Sequence, residues 1–216
     1  MCFSAQASFV ASGILGMTGI LTYRQVSKNN QLLFASIPLL FAIQQAAEGI
    51  VWLSFSHPLF IPWHTIAIYV FLFFAFILWP VFVPLSIYQL ENKHPSHSLL
   101  FLVVLGSIVS LYLALGLVIY PVQATIFNCH IRYFLSTSTY HAYISSFLYV
   151  CATIPSFFCS SIRLMPFFGI LCALLYAISY FFYSYAFISV WCFFCAFLSV
   201  CVLYILSTIS RSQSQS

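Results

Sequence analysis

One acidic residue of this chain stands where a carboxylate is costly. Glu48 lies within the apolar stretch 42–52, AIQQAAEGIVW, whereas the other acid, Glu91, has polar neighbours. Ionisable groups at membrane depth are paired, neutral or hydrated, and they commonly serve a function. Gln45 precedes Glu48 by three residues and Trp52 follows it by four, so the three share one helix face. We predict that Glu48 points into a helix bundle, as a proton carrier, metal ligand or general base, or as a hydrogen-bonded structural group.

Cysteines supply a second set of reactive side chains. Cys192 and Cys195 form a CxxC pair in the segment FISVWCFFC, and we expect Ser189 to be the N-cap of that helix. Cys192 would then be near the third helical residue, where a helix N-terminus favours the thiolate. The spacing is compatible with a redox pair or with half of a metal site. A structural disulfide joining Cys2 to Cys192 or to Cys129 is an alternative.

Composition places these groups in a membrane protein. The chain has 216 residues, of which 63% are hydrophobic and 4% charged, and its mean hydropathy is +1.08. Soluble domains carry about 25% charged residues to cover their surface. The net charge of +4 is spread over short loops, which argues against nucleic-acid binding.

Seven apolar stretches are long enough to cross the hydrocarbon core, which takes about 20 helical residues. The predicted spans are 4–22, 31–54, 62–89, 98–120, 140–160, 165–185 and 189–208. We therefore predict an all-α, polytopic membrane protein with seven transmembrane helices. A single domain would cover residues 1–208, followed by a disordered polar tail at 209–216.

Basic residues predict the orientation of these spans. The basic residues that follow odd-numbered spans are Arg24, Lys28, Lys93, Arg163 and Arg211. Only Arg132, which follows the fourth span, lies on the opposite side of the membrane. Since cytoplasmic loops collect Lys and Arg, the N-terminus should be outside and the C-terminus cytoplasmic.

This topology gathers the candidate ligands in the outer half of the bundle. Zinc with an open coordination position activates water, and copper suits a thiolate combined with imidazole. The predicted metal ligands are Cys2, Glu48, His130 and Cys192. The residues predicted to contact a bound molecule are Gln45, Trp52 and Trp191.

The favoured hypothesis is a site open to the outer side that binds a metal ion or a small lipophilic molecule. Glu48 and Cys192 are its catalytic candidates if the reaction is hydrolytic. One alternative is thiol–disulfide or quinone-linked redox chemistry at Cys192 and Cys195. Another is transport of a proton or small solute, with Glu48 as the coupling group. A scaffold without a small ligand is the last alternative. Membrane lipid is the partner expected of any multi-pass membrane protein.

Several strings resemble a family of uncharacterised bacterial multi-pass membrane proteins. The matching strings are MCFSAQASF at 1–9, IPLLFAIQQAAEGIVW at 37–52, ILWPVFVPL at 77–85, HIRY at 130–133 and SVWCFF at 189–194. This resemblance covers nearly the whole chain. It implies a seven-helix membrane protein of unknown function, and it supplies no catalytic residues. The location we predict is the bacterial inner membrane.

The segment EGIVWLSFSH is similar to part of the seven-helix zinc-dependent amide hydrolases of the alkaline ceramidase and adiponectin-receptor type. It offers Glu48, Ser54 and His57 in a related order. The chain differs from those hydrolases in two respects. It contains no Asp, and its seventh span has no His-x-x-x-His motif.

Overall fold

The computed structural model describes residues 4–91, 96–136 and 139–214, without the side chains of 139–141 and 211–214. The helices are α1 (Ala5–Arg24), α2 (Leu32–Ser56), α3 (His64–Leu72), α4 (Trp79–Leu90), α5 (His97–Ile119), α6 (Thr139–Phe158), α7 (Met165–Phe182), α8 (Phe187–Leu198) and α9 (Val200–Ser214). The strands are β1 (Val122–Phe127) and β2 (His130–Leu135). Short 3₁₀ turns occupy Asn29–Gln31, Pro58–Trp63 and Ser184–Ala186.

The predicted apolar stretches are all helical in the structure. Six continuous helical stretches are long and apolar enough to cross a membrane, and a shorter apolar helix covers Ala142–Phe158. The break between the last two predicted spans is at Tyr183, which is followed by the turn Ser184–Ala186. Helix positions could be predicted because a run of apolar residues of sufficient length is a local property of the chain.

The third predicted span is a composite of α3, a π-helical turn at Phe73–Leu78, and α4. Pro80 lies at the start of α4 and cannot donate a backbone hydrogen bond. The small residues of α5 pack on this irregular segment. A Cβ on Gly106 would collide with the Pro80 carbonyl oxygen, and Ser110 Oγ donates to the Ile77 carbonyl oxygen at 2.7 Å. Small residues therefore allow α5 to contact the backbone of its neighbour directly.

The expected all-α class is incomplete, because a β-hairpin lies between α5 and α6. β1 and β2 are antiparallel, with Phe127 opposite His130. Asn128 and Cys129 form the two-residue turn, and their φ angles are 46° and 60°. Positive φ at both turn positions is typical of type I′ hairpin turns, which favour Asn at the first position. The hairpin is too short to register as a span, so a search for apolar stretches misses it.

The hairpin folds back over one end of the helices. Ile131 and Tyr133 are buried, and the Tyr133 ring stacks on Phe71 of α3 with a centroid separation of 4.8 Å. β2 also packs against α8 and the Ser184–Ala186 turn. We call this region, where α2 and α5 end and α8 begins, the hairpin end of the bundle.

Candidate functional site

Glu48 is buried inside the bundle. It lies on α2, which packs against α1, α3, α4, α8 and α9. Its side chain is 2% exposed, and Ser189 Oγ of α8 donates to its Oε1 at 2.5 Å. The carboxyl therefore faces inward, as the sequence predicted.

Ser189 does not have the role expected from its local sequence. The N-cap of α8 is Ala186, and Ser189 is the third residue of the helix. The Ser189 hydroxyl bonds the Glu48 carboxyl instead, because a buried carboxyl left without a hydrogen-bond partner is costly and Ser189 is within reach. Cys192 is consequently the sixth helical residue, not the third, and is 2% exposed. The influence of a helix N-terminus falls off after the first turn, so this position gives little reason to expect a thiolate.

Two glutamines share the buried face of α2 with Glu48. Both Gln44 and Gln45 are fully buried. Gln44 Oε1 accepts a hydrogen bond from Trp79 Nε1 at 2.8 Å. The Gln44 side chain also lies near the Cys192 thiol, and the Gln45 side chain lies near the Glu48 carboxyl.

Tyr133 brings the hairpin to the same place. Its ring is buried, and the nearby ionisable groups are Glu48 and Cys192. Burial first, and then these two neighbours, raise the pKa of Tyr133 well above its ordinary value. We define the Glu48 cluster as Gln44, Gln45, Glu48, Tyr133, Ser189 and Cys192.

Several polar atoms of the Glu48 cluster have no hydrogen-bond partner among the residues that the structure describes. They are Gln44 Nε2, Gln45 Nε2, Gln45 Oε1 and Tyr133 Oη. Trp52 Nε1, one turn further along α2, is also buried without a hydrogen-bond partner among the described residues. Each buried polar atom without a partner costs about 1–3 kcal/mol. Ordered water or a bound molecule normally satisfies such atoms. Because several of them lie close together here, this region could hold water or the polar groups of a bound molecule.

A large cavity adjoins the Glu48 cluster at the hairpin end. Its volume is about 720 Å³, and its walls come mainly from α5, α6, α8, β2 and the Ser184–Ala186 turn. Cys192 and Tyr133 line this cavity and also belong to the cluster. Pockets that hold small organic molecules have volumes of roughly 300–1,000 Å³ and are mostly apolar with a few polar groups. The cavity fits that description in both size and chemistry.

A second, smaller cavity of about 60 Å³ also borders α8. Its lining includes three cysteines, Cys172, Cys192 and Cys195, among apolar side chains. All three are free thiols. Trp191 and Cys192 line both cavities, so they form part of the wall between the two.

The predicted ligand-contacting tryptophans occupy different surroundings. Trp191 packs edge-to-face on the Tyr176 ring with a centroid separation of 5.2 Å and borders the large cavity. Trp52 packs against Ala186 and Val190, where α8 begins, and is absent from the described lining of either cavity. Trp191 is therefore the better placed of the two to contact a molecule in the cavity.

The predicted metal ligands are described only in part. His130 begins β2, where its Nδ1 donates to the Asn128 carbonyl oxygen at 2.6 Å and its ring packs near Tyr183 and Tyr185. Within 4–91, 96–136 and 139–214, no three His, Cys, Asp or Glu side chains are grouped so that they could hold a metal ion. Cys2 lies outside the described residues, so the four-ligand site stays a prediction.

Comparison with known proteins gives one match. A model for a family of unknown function, DUF6629, matches residues 1–216. No curated protein and no solved structure matches the chain. Because the match extends over the full sequence, the chain belongs to the DUF6629 family of unknown function.

Proposed function

We propose that this protein is a multi-pass membrane protein that binds a small lipophilic molecule in the large cavity at the hairpin end. The supporting observation is that Cys192 and Tyr133 are shared by the cavity wall and the Glu48 cluster. A molecule in the cavity would find apolar walls along most of its length. At Cys192 and Tyr133 it would meet the buried region where polar atoms lack protein partners.

The proposed orientation places the cavity on the extracytoplasmic side of a bacterial inner membrane. Seven spans with an outside N-terminus would put the hairpin outside. Arg24, Lys28 and Arg163 would then face the cytoplasm, and Arg132 would not. The excess of basic residues on one side supports this arrangement, since cytoplasmic loops collect Lys and Arg.

Binding is favoured over hydrolysis because Glu48 is separated from the cavity. Among the described residues, the cavity lining contains Cys192 and Tyr133 but not Glu48. The Glu48 carboxyl accepts a hydrogen bond from Ser189, which joins α2 to α8. We propose that the Glu48 cluster holds α2, α8 and the hairpin in register and so shapes the inner wall of the binding site.

Gly116 offers a way to fill the cavity without disturbing the surrounding helices. It lies on α5 in the cavity lining, and a Cβ at this position would meet nothing within 4 Å. Gly16 on α1 has the same open surroundings and does not line either cavity in the described structure. Gly116→Leu should therefore obstruct binding, and Gly16→Leu is the matched control.

The test is quenching of Trp191 fluorescence by a brominated long-chain alcohol, added to the purified protein in micelles. The Trp191→Phe variant identifies the Trp191 contribution. We expect saturable quenching in the wild type and in Gly16→Leu. In Gly116→Leu the affinity should be roughly tenfold weaker, which corresponds to about 1.4 kcal/mol. Equal affinity in all three proteins would show that the cavity is not the binding site.

A further inference from the structure

Arg132 is the charged residue of the large cavity. It lies on β2, and it alone is charged among the described residues that line this space. The remaining lining is apolar or carries uncharged polar groups, which are the hydroxyls of tyrosine and serine, the Trp191 indole and the Cys192 thiol. Arg132 is exposed, so its guanidinium is accessible to an anion at the edge of the cavity, and no other charged residue of the described lining offsets its charge.

The chain has no spare acid to neutralise Arg132. Its sequence contains two acidic residues, Glu48 and Glu91. Glu48 is buried and accepts from Ser189. Glu91 follows α4, where it accepts from the Ser161 backbone amide at 2.7 Å. In the described part of the chain, Arg132 therefore has no carboxylate partner.

Phe134 lies beside the Arg132 guanidinium on the hairpin. The two side chains lie on the same face of β2, and Arg132 Cζ is 5.7 Å from the centroid of the Phe134 ring. A guanidinium that stacks on an aromatic ring uses its face, which leaves its N–H edge available. That edge matches the geometry of carboxylate and phosphate oxygens, which it binds through two parallel hydrogen bonds.

We infer that the molecule bound in the cavity is an amphiphile whose anionic head group pairs with Arg132. Its apolar chain extends along the cavity toward Trp191. This inference rests on the proposed function, because it names the chemical class of the ligand for the same cavity. A free fatty acid and an anionic phospholipid both present this chemistry.

The test compares brominated amphiphiles that share one chain length and differ in the head group: a carboxylic acid, an alcohol and an amine. Quenching of Trp191 reports binding to wild type, Arg132→Gln and Arg132→Lys. We expect wild type to bind the acid at least tenfold more tightly than the alcohol, and the amine most weakly. Arg132→Gln should lose the preference for the acid and keep its affinity for the alcohol. Arg132→Lys should keep part of the preference, since lysine retains the charge but not the paired N–H geometry.

The outcomes separate this inference from the proposed function. If wild type binds all three probes equally and Gly116→Leu still weakens each of them, the cavity binds lipophiles and the role of Arg132 is wrong. If none of the probes quenches Trp191 saturably, both proposals are wrong. A parallel titration with brominated phosphatidylglycerol identifies the source of the anion. A preference for the phospholipid or for the free acid supports the inference if the Arg132→Gln variant lacks that preference.

Discussion

The hydrogen bond between Ser189 and Glu48 should be the most sensitive polar contact of the bundle. Ser189→Ala removes the hydroxyl that donates to Glu48 Oε1. A buried acceptor that loses its partner costs about 1–3 kcal/mol. Ser86→Ala is the matched control, because Ser86 is also fully buried but donates to the Val83 carbonyl oxygen of its own helix. That carbonyl retains its helical partner, so the control should cost less than about 1 kcal/mol.

Measuring Ser189→Ala in a Glu48→Met background isolates the interaction energy between Ser189 and Glu48. In Glu48→Met the carboxyl is replaced by an apolar side chain of similar length, so the Ser189 hydroxyl no longer has an acceptor there. Removing both partners of a buried hydrogen bond costs much less than removing one. Ser189→Ala should therefore be less destabilising in the Glu48→Met background than in the wild type, by roughly 1 kcal/mol or more.

The free energy of unfolding can be measured by circular dichroism in mixed micelles with increasing denaturing detergent. All four combinations of the Ser189 and Glu48 changes, together with Ser86→Ala, complete the comparison. The reasoning is refuted if Ser189→Ala costs the same in both backgrounds and no more than Ser86→Ala. In that case the contact between α2 and α8 would carry no measurable coupling.

Two further predictions follow from packing and from burial. Gly106→Ala should destabilise the bundle by about 1–3 kcal/mol because its methyl group meets the Pro80 carbonyl oxygen, whereas Gly116→Ala should be neutral or stabilising by up to about 1 kcal/mol. Equal unfolding free energies for the two variants would contradict this packing. Because burial raises the pKa of Tyr133, its phenol should stay protonated above about pH 10, where exposed tyrosines ionise. Ultraviolet titration of wild type and Tyr133→Phe should give the same tyrosinate signal near that pH, and a smaller signal in the variant would refute the prediction. The raised pKa also implies that the stability contributed by protonated Tyr133 is present below about pH 10 and is lost as the pH rises further.

The inward orientation of Glu48 could be predicted because a carboxyl facing lipid is so unfavourable that any stable bundle must bury it or hydrate it. The interior position of Gln45 followed from the same helix spacing. Trp79 could likewise be recognised as different from Trp52, Trp63 and Trp191, because it lies inside a predicted span and the others lie at span ends. In the structure Trp79 is buried and bonds a glutamine of α2.

Local rules were wrong where a long-range partner competed with them. Ser189 has the sequence context of an N-cap, but its hydroxyl bonds a carboxyl that lies 141 residues away in the chain. Tyr133 lies in a segment with no span, and the signals for a hairpin are only the Asn128 turn and the short strands beside it. Sequence reasoning could have found the hairpin from that turn, but not the contact of Tyr133 with the Glu48 cluster.

The sequence by itself determined that the chain forms apolar helices, where those helices lie, and that its buried acid faces inward. These features depend on residue type and on spacing within about 20 neighbouring residues. The tertiary structure alone decided that Ser189 is the partner of Glu48, that the hairpin folds back onto α8, and that a cavity with one guanidinium remains between them. The reason is that such contacts depend on how distant helices cross and how closely their side chains pack, and no local pattern specifies either.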